Sequence, residues 1–304
     1  MTNILVTGGR GLVGSNIDFG HKIGREECDL MNFEEVCETF EKEKPDCVIH
    51  CAGRVGGLGG NMNHMGEFFY ENIIMNTNVL EAARKYKVKK VVSFLSTCIF
   101  PDKAEYPLTS DQVHNGPPHD SNYGYAYAKR MVEVQSRSYR QQYGCNFVTV
   151  VPTNIYGPFD NFDIKNGHVI PSLIHKAYLA KQKGTPLKVW GSGEPLRQFI
   201  YVKDLVEMLS FVVDSYNSPE PLILTHPQEV SIGDVATYIA ELFDVNIEFD
   251  KTRPDGQYRK PADMKQYINL YKEIREHNPV FTSWNKGIKE TVLWFNENYP
   301  NLRK

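Results

Sequence analysis

The stretch NILVTGGRGLVG, residues 3–14, narrows the possible folds more than any other part of the chain. A run that reads as a strand, NILVTG, leads straight into glycines at positions 8, 11 and 14, and a helix start follows. Glycine at that spacing lets the backbone turn tightly and approach a pyrophosphate, which the N–H groups and positive dipole end of the following helix then bind. The competing reading is an ordinary glycine-rich turn between a strand and a helix. The strand before and the helix after favour a dinucleotide, held by Gly8, Arg10, Gly11, Leu12, Val13 and Gly14.

The rest of the first half fits that opening. DCVIHCA (46–52), KKVVSFLS (89–96) and NFVTVVP (146–152) are short apolar runs separated by helix-like segments, NFEEVCETFEKE, FFYENIIMNTNVLEAARKYK and GYAYAKRMVEVQSRSYRQQYG. Continuous apolar strands alternating with amphipathic helices read as an α/β, Rossmann-type, doubly wound parallel sheet that binds ligands beyond the carboxyl ends of its strands. From about residue 156 the rhythm changes to loops, short strands and helices. The expected organisation is a dinucleotide-binding domain over 1–155, with interleaved later segments, and a smaller α/β substrate domain mainly over 156–304. Pro171 is tolerable near the start of the helix VIPSLIHKAYLAKQKG.

Gly14 and Arg25 are close in sequence, so a helix there has room for barely two turns before Gly20 caps it, and the next strand is confined to about His21–Gly24. An acidic residue about 20 positions past the first glycine usually meets a ribose 2′-hydroxyl. That zone here reads Arg25, Glu26, Glu27, Cys28, Asp29, Leu30. Arg25, with Arg10 in the loop, suits a 2′-phosphate, which favours NADP over NAD; solvated surface charge is the plainer alternative.

NYGYAYAKR holds three tyrosines ahead of Lys129. On a helix only Tyr125, four residues before it, shares its face. An ammonium beside a phenol favours phenolate, and such a pair can exchange a proton with a sugar oxygen near neutral pH. Ser96, at the end of the strand KKVVSFLS, can bond the same carbonyl oxygen. An exposed helical Tyr/Lys pair is the unremarkable reading.

Charge and composition exclude several classes. A formal net charge of −3 argues against a nucleic-acid surface. No apolar run reaches the roughly 18 residues of a membrane span, and no export signal is visible. The six cysteines form no small-scaffold pattern, so reduced thiols in the cytoplasm are expected. Cys47 and Cys51 are read as packing on one side of a strand, and no metal-binding spacing occurs.

TGGRGLVG and YGYAYAKR, together with VGGLGGN, FLSTCIFP, QQYG, PTNIYGPFDNF, GHVIPSLIHKA, VWGSGEPLRQFIYVKDL and PDGQYRK, resemble the extended short-chain dehydrogenase/reductases that act on nucleotide sugars. Over nearly the whole chain the resemblance is to the members that epimerise a GDP-4-keto-6-deoxy sugar at C3 and C5 and then reduce C4. It implies that Ser96, Tyr125 and Lys129 form a reductase triad and that Cys98 and His168 are the acid/base pair for epimerisation. NADPH would be held by the glycine loop with Arg10, Arg25, Asp29 and Leu30. Phe94, Leu95, Ser96, Thr97, Pro152, Thr153, Asn154, Ile155 and His168 would line the nicotinamide side, beside Tyr125 and Lys129. Lys176, Trp190, Arg197, Asp255 and Lys260 would contact the GDP-sugar, and a homodimer is implied.

Protons on C3 and C5 of a 4-keto sugar are acidic, and a thiol near a cationic neighbour can move them. Taken alone, Cys98 could be a small buried hydrophobe, His168 a satisfied or exposed histidine, Trp190 core and Arg197 surface charge. If the backbone stays extended, Cys98 shares a side with Ser96. The other enzyme reading is a nucleotide-sugar 4-epimerase or 4,6-dehydratase with tightly bound NAD. Thr97 and Cys98, where a dehydratase typically carries an Asp-Glu pair, disfavour the dehydratase.

Overall fold

Alternate residues of four strands line up across the centre of the molecule. Leu5, Val48, Val91 and Phe147 are paired in register on one face, and Val6, Ile49, Val92 and Val148 on the other. All eight are buried, so the sheet is covered on both sides and its strands read as unbroken apolar runs. The structure is a computed structural model and describes residues 3–57, 62–253, 255 and 257–303.

In chain order the first half contains β1 (Ile4–Thr7), α1 (Leu12–Asn16), β2 (His21–Ile23), α2 (Phe33–Glu43), β3 (Cys47–His50), α3 (Met65–Lys85), β4 (Lys90–Phe94), α4 (Tyr123–Tyr143) and β5 (Phe147–Pro152). The second half contains β6 (Asn154–Tyr156), α5 (Val169–Lys183), β7 (Leu187–Trp190), β8 (Leu196–Arg197), β9 (Phe199–Tyr201), α6 (Val202–Ser215) and β10 (Leu222–Leu224). It continues with β11 (Val230–Ser231), α7 (Ile232–Phe243), β12 (Ile247–Asp250), α8 (Lys265–Arg275) and α9 (Trp284–Asn298).

The main sheet is wholly parallel, in the order β10-β5-β4-β3-β1-β2. Residues of α2, α3 and α4 fill one face, and residues of α6 and α8 the other. The order reverses between β1 and β3, which opens the crevice where such sheets bind ligands. A separate core forms from α5, α7, α9 and the short pairs β6–β9, β7–β12 and β8–β11, around Phe162, Ile174, Val189, Ile239 and Phe295.

Several local expectations needed correction. α1 has five residues and ends before an extended Ile17, not at Gly20. Gly20, at φ +77°, instead turns the chain close to Ile4, whose carbonyl a Cβ there would meet at 2.9 Å. A sixth strand of the main sheet, β10, comes from a later segment that the sequence does not mark. Its three residues are too few to show a pattern. The backbone is extended through Ser96 but not beyond it. Ser96 caps a 3₁₀ turn over Thr97–Ile99, accepting the N–H of Cys98 at 3.3 Å. Pro171 sits in the first turn of α5, where its missing N–H costs no helical bond.

A buried lysine at the start of β4 ties the sheet to α6. Lys90 Nζ donates to the carbonyls of Val212 and Val213, both at 2.7 Å, and so satisfies the last turn of α6. Lys90→Met would leave the Val213 carbonyl without this donor, while Val212 keeps the N–H of Tyr216. It is expected to cost about 1–3 kcal/mol in urea unfolding, and an unchanged unfolding midpoint would refute the capping role.

Candidate active site

The glycine loop is pressed against the end of the sheet. Gly8 has φ +71°, and a Cβ on it would lie 2.6 Å from the backbone nitrogen of Ala52, beyond β3. A Cβ on Gly14 would lie 2.4 Å from the Gly8 carbonyl oxygen, so this glycine lets α1 close onto the loop. Gly11 is the more open position. The nearest atoms to a Cβ there are the Gly8 carbonyl oxygen at 3.2 Å and Arg303 Nη1 at 3.6 Å. The space left at Gly11, with a guanidinium at its rim, fits a dinucleotide diphosphate.

Around it, Leu12 is half-buried against the second core and Val13 is buried under the sheet. Arg10 is not a free cation: its guanidinium pairs with Glu27, whose carboxyl it holds below the usual range. Arg25 is exposed. Asp29 Oδ1 accepts the N–H of Met31 at 3.1 Å, and Leu30 packs in the core.

Helix α4 sorts the three tyrosines by face. Tyr123 and Tyr127 pack edge to face, ring centroids 4.7 Å apart, while Tyr125 and Lys129 are buried together. Lys129 Nζ donates to the Phe94 carbonyl at 3.0 Å, which leaves further ammonium donors for a ligand's hydroxyls. Burial lowers this lysine to about 8, opposed by the nearby Cys51. Tyr125 bonds to Ser96, but burial is the larger effect and, with Cys98, pushes the phenol up. The expected lowering of the phenol by Lys129 is not among these effects; only the bond to Ser96 pulls it down.

Near them lies a hydrogen-bonded trio that sequence patterns did not reveal. His50 bonds to Thr7 Oγ1 at 2.7 Å and Asn76 Oδ1 at 2.9 Å, and burial lowers it to about 3. Its members lie on β1, β3 and α3, with no common spacing.

The 3₁₀ turn places Cys98 near Tyr125, and its charge is also felt by Lys260. Arg130, buried on α4, fixes the turn by donating from Nε to the Ile99 carbonyl at 2.6 Å. His168 caps the start of α5 without a side-chain bond. It lines a cavity of about 160 Å³ with Gly57, Asn154, Ile155, Tyr156 and Phe199. The surrounding protein, followed by the charge of Arg303, lowers its imidazole although part of the residue remains exposed. Among the described residues no hydrogen bond or ion pair joins His168 to Cys98. The cation beside the thiol is Lys260, which the sequence reading had given to the sugar.

The strand ends complete the wall. Phe94 and Leu95 are buried, and Thr97 is half-buried. Pro152 closes β5. Thr153 Oγ1 pairs with Thr225 Oγ1 at 2.8 Å, and Asn154 Nδ2 donates to the Gln198 carbonyl at 3.0 Å.

Further out, Trp190 is 63% exposed rather than core, with Lys176 Nζ 4.8 Å and the Arg253 guanidinium 5.3 Å from its ring. Arg253 was missed because only the pairing of β7 with β12 brings it there. Arg197 is half-buried, and its Nη1 donates to the Leu196 carbonyl. Asp255 accepts from the N–H and hydroxyl of Ser192 at 2.8 and 2.7 Å. Parts of VGGLGGN (58–61) and PDGQYRK (254 and 256) lie outside the described residues.

Asp160 is 3% exposed, with Oδ2 unbonded among the described residues; burial raises its carboxyl to about 7, opposed by its bond from the Asn161 N–H and by Arg303. A carboxyl raised on folding stabilises the fold at low pH, and that stabilisation is lost as pH rises through the folded value. Thermal unfolding of Asp160→Asn should gain on the wild type between about pH 4 and pH 7, then run parallel. A constant difference across that range would show that Asp160 is not the titrating group.

Comparison with known proteins matches this geometry. Residues 20–233 match the NAD dependent epimerase/dehydratase family. The chain is 46% identical to the GDP-L-fucose synthase of Dictyostelium discoideum, covering 99% of this chain and 97% of that one. It is 34% identical to GDP-L-fucose synthase 1 of Arabidopsis thaliana, covering 98% and 94%. The crystal structure of a GDP-L-fucose synthetase from Naegleria fowleri bound to NADP superposes with a TM-score of 0.94 at 42% identity, covering 100% of this chain and 95% of that one. The chain belongs to the NAD dependent epimerase/dehydratase family and, within it, to the group of the GDP-L-fucose synthases.

Proposed function

We propose that this protein converts GDP-4-keto-6-deoxy-D-mannose to GDP-L-fucose, by epimerisation at C3 and C5 followed by NADPH-dependent reduction at C4. The observation that carries the reading is the bond between Ser96 and Tyr125, with Cys98 near enough for its charge to act on Tyr125 and on Lys260. Ser96 and Tyr125 hold the C4 oxygen and stabilise the enolate formed when a proton leaves C3 or C5. Cys98 removes or returns the proton on one face, and His168 serves the other. NADPH, bound along the glycine loop, supplies a hydride. Tyr125 gives its proton to the C4 oxygen, and Lys129 stabilises the phenolate left behind.

Arg25 and, once released from Glu27, Arg10 would meet a 2′-phosphate. Asp29 and Leu30 would shape the adenosine end, with Leu12 and Val13 behind the loop. Lys176, Trp190, Arg197 and Asp255 are the proposed contacts to the GDP moiety: the indole stacks on the base and the cations meet the phosphates. Lys260 serves the thiol as well as the sugar. The protein is further proposed to act as a cytoplasmic homodimer. Among the described residues no helix is long and apolar enough to cross a membrane.

The test is product identification after incubation with GDP-4-keto-6-deoxy-D-mannose and NADPH in D2O. GDP-L-fucose carrying deuterium at C3 and C5, with one NADPH consumed per product, is expected. An unlabelled product, or turnover without consumption of NADPH, would overturn the reading.

A further inference from the structure

Arg303 lies on the segment after α9, far in sequence from the glycine loop and outside residues 20–233. Three contacts bring it to the cofactor end of the site. Its carbonyl accepts the N–H of Phe162 at 3.2 Å. Its neighbour Leu302 packs in the same core as Leu12. Its Nη1 stands 3.6 Å from where a Cβ of Gly11 would be. We propose that Arg303 is a cofactor-binding residue, whose guanidinium pairs with the diphosphate of the dinucleotide at the open side of Gly11.

The charge balance around the loop supports this. Arg10 is already neutralised by Glu27. Among the described residues no carboxylate lies within ion-pair distance of Arg303. The acid that senses it, Asp160, is only partly charged at neutral pH, because burial raises it to about 7. The guanidinium is thus available to a stronger anion. With five residues, α1 also brings a smaller dipole to the loop than a full-length helix would, so a nearby cation has more to supply. A planar guanidinium can hold two phosphate oxygens at once. Because Arg303 also acts on the electrostatics of His168, the same side chain would tie cofactor binding to the catalytic end of the cavity.

This inference rests on the NADPH reading of the loop, and titration calorimetry on the full chain separates the two. The probes are NADPH and adenosine 2′-phosphate, which lacks the diphosphate. Arg303→Ala is expected to weaken NADPH about 10- to 100-fold, the loss of a charge-assisted bond, and to leave adenosine 2′-phosphate within about twofold. Arg303→Lys should recover part of the loss, since it keeps the charge but not the fork. Unchanged NADPH binding in Arg303→Ala would overturn the inference. So would equal weakening of both probes, which would move the contact to the 2′-phosphate or report a general loss of fold. A wild type that binds no NADPH would overturn the proposed function, and this inference with it.

Discussion

Cys98→Ser is expected to stop deuterium exchange at C3 and C5 while hydride still reaches C4. Its hydroxyl is about the right size for the pocket but a far weaker acid than a thiol, so it cannot supply the base. Loss of a positioned acid/base group costs about 10²–10⁴ in rate, and the exchange rate should fall by that much. Ser96, Tyr125 and Lys129 are untouched by the change. The Ser96 cap of the turn uses the backbone N–H of residue 98, which serine keeps. NADPH oxidation should therefore persist within about tenfold, because the groups that act in hydride transfer remain in place. The product would be a GDP-6-deoxy sugar reduced at C4 with C3 and C5 unchanged. Retained exchange would dismiss the thiol as the base. Loss of exchange and reduction together would mean that Cys98 supports the site's shape rather than moving protons.

The residues most legible in the sequence were those whose geometry follows from a local period. Tyr125 and Lys129 are one helical turn apart, so their shared face follows from spacing alone. Gly8 and Gly14 were legible because only glycine tolerates a neighbouring backbone at those distances. The central strands were legible because a parallel sheet buries both faces. Features that depend on long-range packing were not. The turn that delivers Cys98 is three residues long and is set by the Ser96 cap and by Arg130, which reaches across from α4. Lys260 comes to the thiol, and Arg303 to the glycine loop, from beyond the ends of the motifs they serve. Arg10 looked free because Glu27 is placed against it by the turn after β2, which no spacing rule specifies. The phenol's environment was misjudged for a related reason. A sequence shows the lysine's charge but not how deeply both groups are buried, and here burial is the largest effect on the phenol.

Tyr125→Phe is the counterpart experiment, and it should damage both half-reactions unequally. Phenylalanine keeps the ring, which packs edge-on to Phe68 with centroids 6.5 Å apart, and removes only the hydroxyl. Reduction loses the proton that neutralises the C4 oxygen, so hydride transfer should slow by about 10²–10⁴. Exchange at C3 and C5 should fall less, because Ser96 still donates to the enolate oxygen; an oxyanion donor is worth about 10²–10³ when removed and here one of two remains. The wild-type pH profile supplies a further check. Burial keeps the phenol protonated through neutrality, so the limb that falls with rising pH belongs to Lys129, whose ammonium is lost as pH passes about 8. Lys129→Met should remove that limb and leave a low, flatter rate. If Tyr125→Phe instead abolished exchange and spared reduction, the phenol would be the epimerisation acid, and Cys98 would have to be reassigned.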